Sequence, residues 1–191
     1  MSYRREDTQY IAAWLYETLA SHFSRSQVFK DVDSIPLGKD FVDAITAAVR
    51  SSHVLLALIG KRWLTITDQG GRRRLDDSGD FVRLEIEVAL ARDVRVIPIL
   101  VEGAQMPRPE ELPESLAKLA RRQAFELSPR FDADGPRLLR MLDQTITEVQ
   151  EQARQESERA TAGAQAPSVA QTSQPKLALS ATVTDLGQLP Q

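Results

Sequence analysis

Phe81-Val82-Arg83-Leu84-Glu85-Ile86-Glu87-Val88-Ala89-Leu90 is followed closely by Val94-Arg95-Val96-Ile97-Pro98-Ile99-Leu100-Val101. The first stretch reads as a helix and the second as a buried strand. At 100° per residue the helix carries a wide apolar arc of Leu84, Val88, Phe81, Ala89, Val82 and Ile86, and only Arg83 and Glu87 make a polar face. Glu85 falls inside the arc. A carboxylate there is costly to bury unless it is partnered, neutral or open to a cleft. The wheel alone fits two readings equally. Glu85 is either a functional group or a carboxylate settled by the helix dipole or a neighbouring arginine.

The same alternation recurs on either side of this stretch. Asp7 or Thr8 is placed to cap a first helix whose Ile11, Leu15 and Leu19 keep a four-residue spacing beside Trp14. Val28-Phe29 suggests a short strand. Asp31 to Lys39 is a loop by its Asp, Pro and Gly content, and Asp40 is placed to cap a second helix with Phe41, Ile45 and Val49 on one face. Val54-Leu55-Leu56-Ala57-Leu58-Ile59 is a continuous apolar run, as in a strand covered on both faces, and Gly60 ends it. Residues 61–79 form a long polar connection, expected to be functional or mobile. Pro98 removes a ladder donor, so a bulge is expected in its strand. A short helix from Glu114 to Arg121 and a last strand, Ala124-Phe125-Glu126-Leu127, follow. Pro136 is expected to start the final helix, which turns wholly polar after about Val149. From about residue 152 Ala, Gln, Ser, Thr and Pro dominate, and residues 151–191 are expected to be a disordered tail or linker after a domain at 1–150. Apolar strands alternating with helices indicate an α/β fold, a parallel sheet with helices on both faces. Ligands of such sheets sit beyond the carboxyl ends of the strands, which puts the loops at 31–39, 60–79 and 102–113 on the functional rim.

Composition narrows the function. The 191 residues are 42% hydrophobic and 27% charged, with a net charge of −3 and no cysteine. That charge makes no general case for nucleic acid. Without cysteine there are no disulfides, thiolate metal sites or cysteine nucleophiles. No signal peptide and no apolar run of membrane-spanning length is seen, so the chain is expected to be cytoplasmic, with no membrane partner. Gly38-Lys39 lacks the spacing of a phosphate-binding P-loop, and no Gly-x-Gly-x-x-Gly occurs. His22 and His53 have no metal-ligand spacing and read as structural. Arg72-Arg73-Arg74 reads as a solvated loop face, and Trp63 as the anchor of its loop.

Several segments in this order resemble bacterial TIR (Toll/interleukin-receptor-like) domains: Ser2-Tyr3-Arg4-Arg5-Glu6-Asp7, Val28-Phe29-Lys30-Asp31, Ile35-Pro36-Leu37-Gly38-Lys39, Ser51-Ser52, Ile59-Gly60-Lys61-Arg62-Trp63-Leu64, Val82-Arg83-Leu84-Glu85-Ile86 and Ile97-Pro98-Ile99-Leu100-Val101. The resemblance spans roughly residues 2–145. It implies a flavodoxin-like fold with the loop at 31–39 in the place of the family's BB loop. Family members carry an apolar strand just before Ser-Tyr-Arg-Arg, and the resemblance therefore implies that the first strand is missing from this chain.

Many members of the family cleave NAD⁺ at the nicotinamide–ribose bond, and the resemblance places the catalytic glutamate at Glu85. It places the family's arginine pair at Arg4 and Arg5, to grip the diphosphate as bidentate donors or to form a solvated basic patch. The resemblance places the family's aromatic after the BB-loop glycine, with a one-residue shift, at Phe41, and Phe81 is the further aromatic candidate for substrate contact. NAD⁺ is then a substrate, with no cofactor and no metal. Partners are NAD⁺ and either a second copy or other TIR domains, met through Ile35, Pro36, Leu37 and Gly38. The alternative to a hydrolase of NAD⁺ in signalling or defence is a non-catalytic interaction module acting by self-association.

Overall fold

The computed structural model describes residues 1–29 and 41–164. Its helices are α1 (Arg5–Phe23), α2 (Phe41–Arg50), α3 (Phe81–Ala91) and α4 (Phe131–Ala164), and its strands are β1 (Val54–Ile59), β2 (Arg95–Val101) and β3 (Phe125–Leu127). The strands form one parallel sheet in the order β1-β2-β3. Met1–Gln155 form one compact unit.

The sheet is covered on both faces, as a continuous apolar run requires. In β1, Leu55, Ala57 and Ile59 point to one side and join Ile45 and Val49 of α2, Val82, Ile86 and Ala89 of α3, and Leu116 and Leu119 of the 3₁₀ helix Glu114–Arg121. Leu56 and Leu58 point to the other and join Ile11, Leu15 and Leu19 of α1 and Leu138 and Leu142 of α4. Each strand thus supplies both cores, the period-two geometry of a doubly covered sheet. This is the flavodoxin-like α/β arrangement expected.

At the outer edge of β1 the chain's first residues add a single parallel bridge, Ser2 opposite Ala57. Ser2 N–H donates to the Leu56 carbonyl at 2.8 Å, and Leu58 N–H donates to the Ser2 carbonyl at 2.9 Å. The Met1 amino group reaches the Phe29 carbonyl. The segment beginning Ser-Tyr-Arg-Arg therefore runs alongside β1, with one bridging residue in place of a ladder.

Several local expectations are corrected. Val28-Phe29 is not a strand; it follows a 3₁₀ turn at Arg25–Gln27. α1 begins at Arg5, and neither Asp7 nor Thr8 caps it. The Arg4 carbonyl takes both the Asp7 and Thr8 N–H groups, and the helix kinks at Thr8, where φ is −133°. Pro98 makes no bulge: the β1–β2 register runs unbroken from Val54↔Arg95 to Ile59↔Leu100. The reason lies in ladder alternation. Leu56 and Leu58 spend their groups on Ser2, so Ala57 turns to β2, and Pro98 opposite it turns its nitrogen away from β1. The β2–β3 ladder begins only at Ile99↔Phe125, so the absent N–H leaves no gap. α4 starts at Phe131, with Pro136 inside it. Asp134 steadies that start by accepting from the Ser128 N–H at 2.8 Å and the Ser128 hydroxyl at 2.6 Å. The helix also continues to Ala164, so residues 151–164, expected to belong to a disordered tail, are helical. The expectations for the loop at 31–39 and Asp40, and for the tail beyond 164, lie outside the described residues.

The connection 61–79 is packed rather than loose. Trp63, Ile66 and Leu75 are buried in it, and Thr67 bridges Arg73. Of Arg72-Arg73-Arg74, expected as a solvated face, Arg72 is exposed while Arg73 and Arg74 are partly buried. Arg72 pairs with Asp68 at 3.1 Å, Arg73 with Asp76 and the Glu111 carbonyl, and Arg74 with Glu6 and Asp80. The Arg72 N–H, the Arg72 side chain and the Gly70 N–H hold the Asp68 carboxyl below the usual carboxylate range.

Candidate active site

α3 is fixed at its first turn by one carboxylate. Asp80 is its N-cap: Oδ1 accepts from the Arg83 N–H at 3.0 Å. Arg4 grips the same carboxylate with both terminal nitrogens, at 3.0 Å to Oδ2 and 3.0 Å to Oδ1. Arg74 Nε adds a contact to Oδ2 at 3.1 Å, and its Nη1 reaches Glu6 at 2.9 Å. Arg4 Nε donates to the Trp63 carbonyl at 3.3 Å, and its guanidinium stands 6.0 Å from the Trp63 ring centre. Arg4 is only 1% exposed and Asp80 5%. Burying both charges is tolerable because each Arg4 nitrogen donates a hydrogen bond and both Asp80 oxygens accept; removing one partner of such a pair costs about 3–5 kcal/mol.

From this anchor the helix presents three faces. Val82, Ile86, Ala89 and Leu90 enter the core. Arg83 and Glu87 form the flank facing Ser115: Arg83 Nε donates to Glu87 at 2.6 Å, and the Ser115 hydroxyl also donates to Glu87. Arg83 further reaches the carbonyls of Leu75 and Asp76, at 3.3 and 3.1 Å. The opposite flank holds Phe81, Glu85 and Val88. Phe81 and Glu85 are one turn apart and so lie one above the other. Glu85 is half-buried, while Phe81 is 47% exposed. The apolar arc of the wheel is thus split between a buried half and a half that reaches the surface, and Glu85 stands at the boundary.

The other expected site residues separate. Arg4 is committed to Asp80 and Trp63, which corrects its assignment to the substrate's diphosphate: a fully buried guanidinium with its donors spent inside the protein cannot grip a ligand. Arg5, next to it, is exposed at the start of α1. Phe41 opens α2, but its side chain lies outside what the structure describes, as do Ile35, Pro36, Leu37 and Gly38. Asp80, Arg74 and Glu6 were not singled out from the sequence. An N-capping residue type at Asp80, three before Arg83, was the available signal for the first of them.

A cavity of about 450 Å³ opens at the carboxyl ends of β1 and β2, with Ile59, Gly60, Lys61, Met106, Arg108 and Glu111 in its wall. Neither Glu85 nor Phe81 lines it. Among the described residues no three His, Asp or Glu side chains gather as metal ligands, and no helix is long and apolar enough to cross a membrane. Residues 1–140 match the family model described as the TIR domain. No curated protein matches the chain.

Proposed function

The chain belongs to the TIR domain family, and from that premise we propose that it cleaves NAD⁺ at the nicotinamide–ribose bond, with Glu85 as the catalytic carboxylate. Nicotinamide leaves with the bonding pair and becomes neutral, and the ribose C1′ gains oxocarbenium character. A carboxylate beside the ring stabilises that charge and orients the ribose hydroxyls. Water then adds at C1′ and loses a proton, giving ADP-ribose, nicotinamide and H⁺. Phe81 offers an aromatic face one turn from Glu85, and Arg5 is the surface cation for the diphosphate.

The observation that carries this reading is the position of Glu85, half-buried and one turn from an exposed aromatic ring, on the flank of α3 opposite Arg83 and Glu87. Glu87 belongs to the flank that meets Ser115. A second reading, an interaction module working through other TIR domains, is favoured by Phe29, an aromatic 52% exposed directly ahead of the segment containing Ile35 to Gly38. The test incubates purified protein with NAD⁺ at high protein concentration and separates the products by chromatography, with sedimentation velocity on the same sample. Nicotinamide and ADP-ribose accumulating in proportion to protein support the enzyme. Self-association with intact NAD⁺ overturns it in favour of the module.

A further inference from the structure

We infer that Asp80 is a positioning residue, and that the Arg4–Asp80 bridge sets the spacing between the two ends of the site, Arg5 on α1 and Glu85 on α3. The inference rests on the NAD⁺-cleaving reading for its chemistry, but its geometry stands apart from it.

A helix cap needs one acceptor, and Asp80 supplies more. Its Oδ1 receives Arg4 Nη2 and the Arg83 N–H, and its Oδ2 receives Arg4 Nη1 and Arg74 Nε. Two donors on each oxygen fill the acceptor sites of a carboxylate. Those donors come from three places in the chain: the N-terminal segment, the connection after β1, and α3 itself. Arg4 is tied in turn to the Trp63 carbonyl, and Arg74 to Glu6 on α1. The planar fork of Arg4 fixes orientation as well as distance, which a single cation would not.

The two candidate substrate contacts sit directly on this bridge. Arg5 is the residue after Arg4. Glu85 lies five residues after Asp80, which is about 7.5 Å of helical rise. The helix between them is regular and begins with the Leu84 N–H to Asp80 carbonyl bond at 2.9 Å. Any shift of Asp80 relative to Arg4 is therefore passed to Glu85 without a hinge to absorb it. A substrate held at its diphosphate and at its nicotinamide ribose needs that spacing constant, since small misplacements of reacting groups cost rate rather than affinity.

The test uses two variants of the full chain. Asp80→Asn keeps a capping acceptor for the Arg83 N–H and loses the charge. Arg4→Lys keeps the charge and the cap and loses the fork. In each, amide hydrogen exchange of Leu84 to Val88 is expected to speed at least about tenfold while the β1 and β2 amides stay protected. At a temperature where circular dichroism shows full folding, kcat for nicotinamide release is expected to fall at least about tenfold per folded molecule, with KM changed less than about threefold. A role in stability alone would speed exchange in α3 and in the strands together and leave kcat per folded molecule intact, and either result overturns the inference. If the wild-type chain releases no nicotinamide, the NAD⁺ reading fails by itself, and the exchange pattern still decides whether the bridge holds α3.

Discussion

Gly60 is where the account of the rim can be tested most simply. It follows β1 at the point where the first turn of α1 crosses over the strand end. A Cβ built there would collide with Asp7 Oδ2, and would stand 2.7 Å from Asp7 Cγ and 2.7 Å from Thr8 Cγ2. The Asp7 carboxylate could swing aside, but its Oδ1 accepts the Arg62 N–H at 3.1 Å. The Thr8 methyl has less room, because Thr8 is β-branched, buried, and sits at the kink of α1. Gly60→Ala therefore forces either rotation of Asp7 or a lift of the helix start that also carries Glu6. Overpacking of this kind costs about 1–3 kcal/mol, and the lost hydrogen bond about 1 more. At roughly 2–4 °C per kcal/mol for a domain of this size, the melting midpoint should fall by about 5–15 °C. The assay is thermal unfolding followed by circular dichroism. Repeating Gly60→Ala in an Asp7→Ala background removes the nearest clash, so the loss there should shrink by at least about 1 kcal/mol, the signature of directly coupled residues. A midpoint within about 1 °C of wild type would refute the close approach, and an equal loss in both backgrounds would refute the part assigned to Asp7 and leave Thr8 as the obstacle.

Three further outcomes follow from packing and charge. Ile86→Ala, in the core face of α3, should lower unfolding stability in urea by about 2–5 kcal/mol, and a loss under about 1 would mean that α3 does not bury this side chain. The Ser128 hydroxyl, and then its N–H, hold the Asp134 carboxyl below its ordinary 3.8. A depressed carboxylate stabilises above its ordinary value and loses that contribution as pH falls through the lower, folded one. The midpoint gap between wild type and Asp134→Asn should therefore be full above 3.8 and close below it, whereas a gap independent of pH contradicts the Ser128 contacts. His22 meets Asp143 at 2.9 Å between α1 and α4 with both side chains well exposed, so His22→Ala should cost less than about 1 kcal/mol in the same urea experiment.

The fold was legible because β1 is apolar at every position, which only a doubly covered strand explains, and because α2 and α3 keep their core residues at helical spacing. Pro98 was misjudged for want of register: a missing donor matters only on the side where a neighbour needs it, and that side is set by Ser2. Arg73 and Arg74 looked solvated because part of their pairing is non-local, with the Glu111 carbonyl and with Glu6. The same non-local pairing hid the role of Arg4. A buried arginine is indistinguishable from a ligand-gripping one until its carboxylate is found 76 residues away. Glu85 could be singled out on the wheel as a charge among apolar neighbours. The wheel could not divide that arc into the part that is buried and the part that reaches the surface, because the division depends on what packs against α3 from elsewhere in the chain.

Glu85, and not its helix neighbour Glu87, is the residue proposed to support NAD⁺ cleavage. The direct measurement is nicotinamide release from NAD⁺, followed by proton NMR, for wild type, Glu85→Gln and Glu87→Gln at equal folded concentration. Glu85→Gln keeps shape and removes charge, so its rate should drop by about a hundredfold or more, the scale of losing one preorganised charge-stabilising group. Glu87→Gln should stay within about threefold of wild type once any loss of folding is corrected. Equal rates for Glu85→Gln and wild type, or a larger loss at Glu87 than at Glu85, would contradict the assignment.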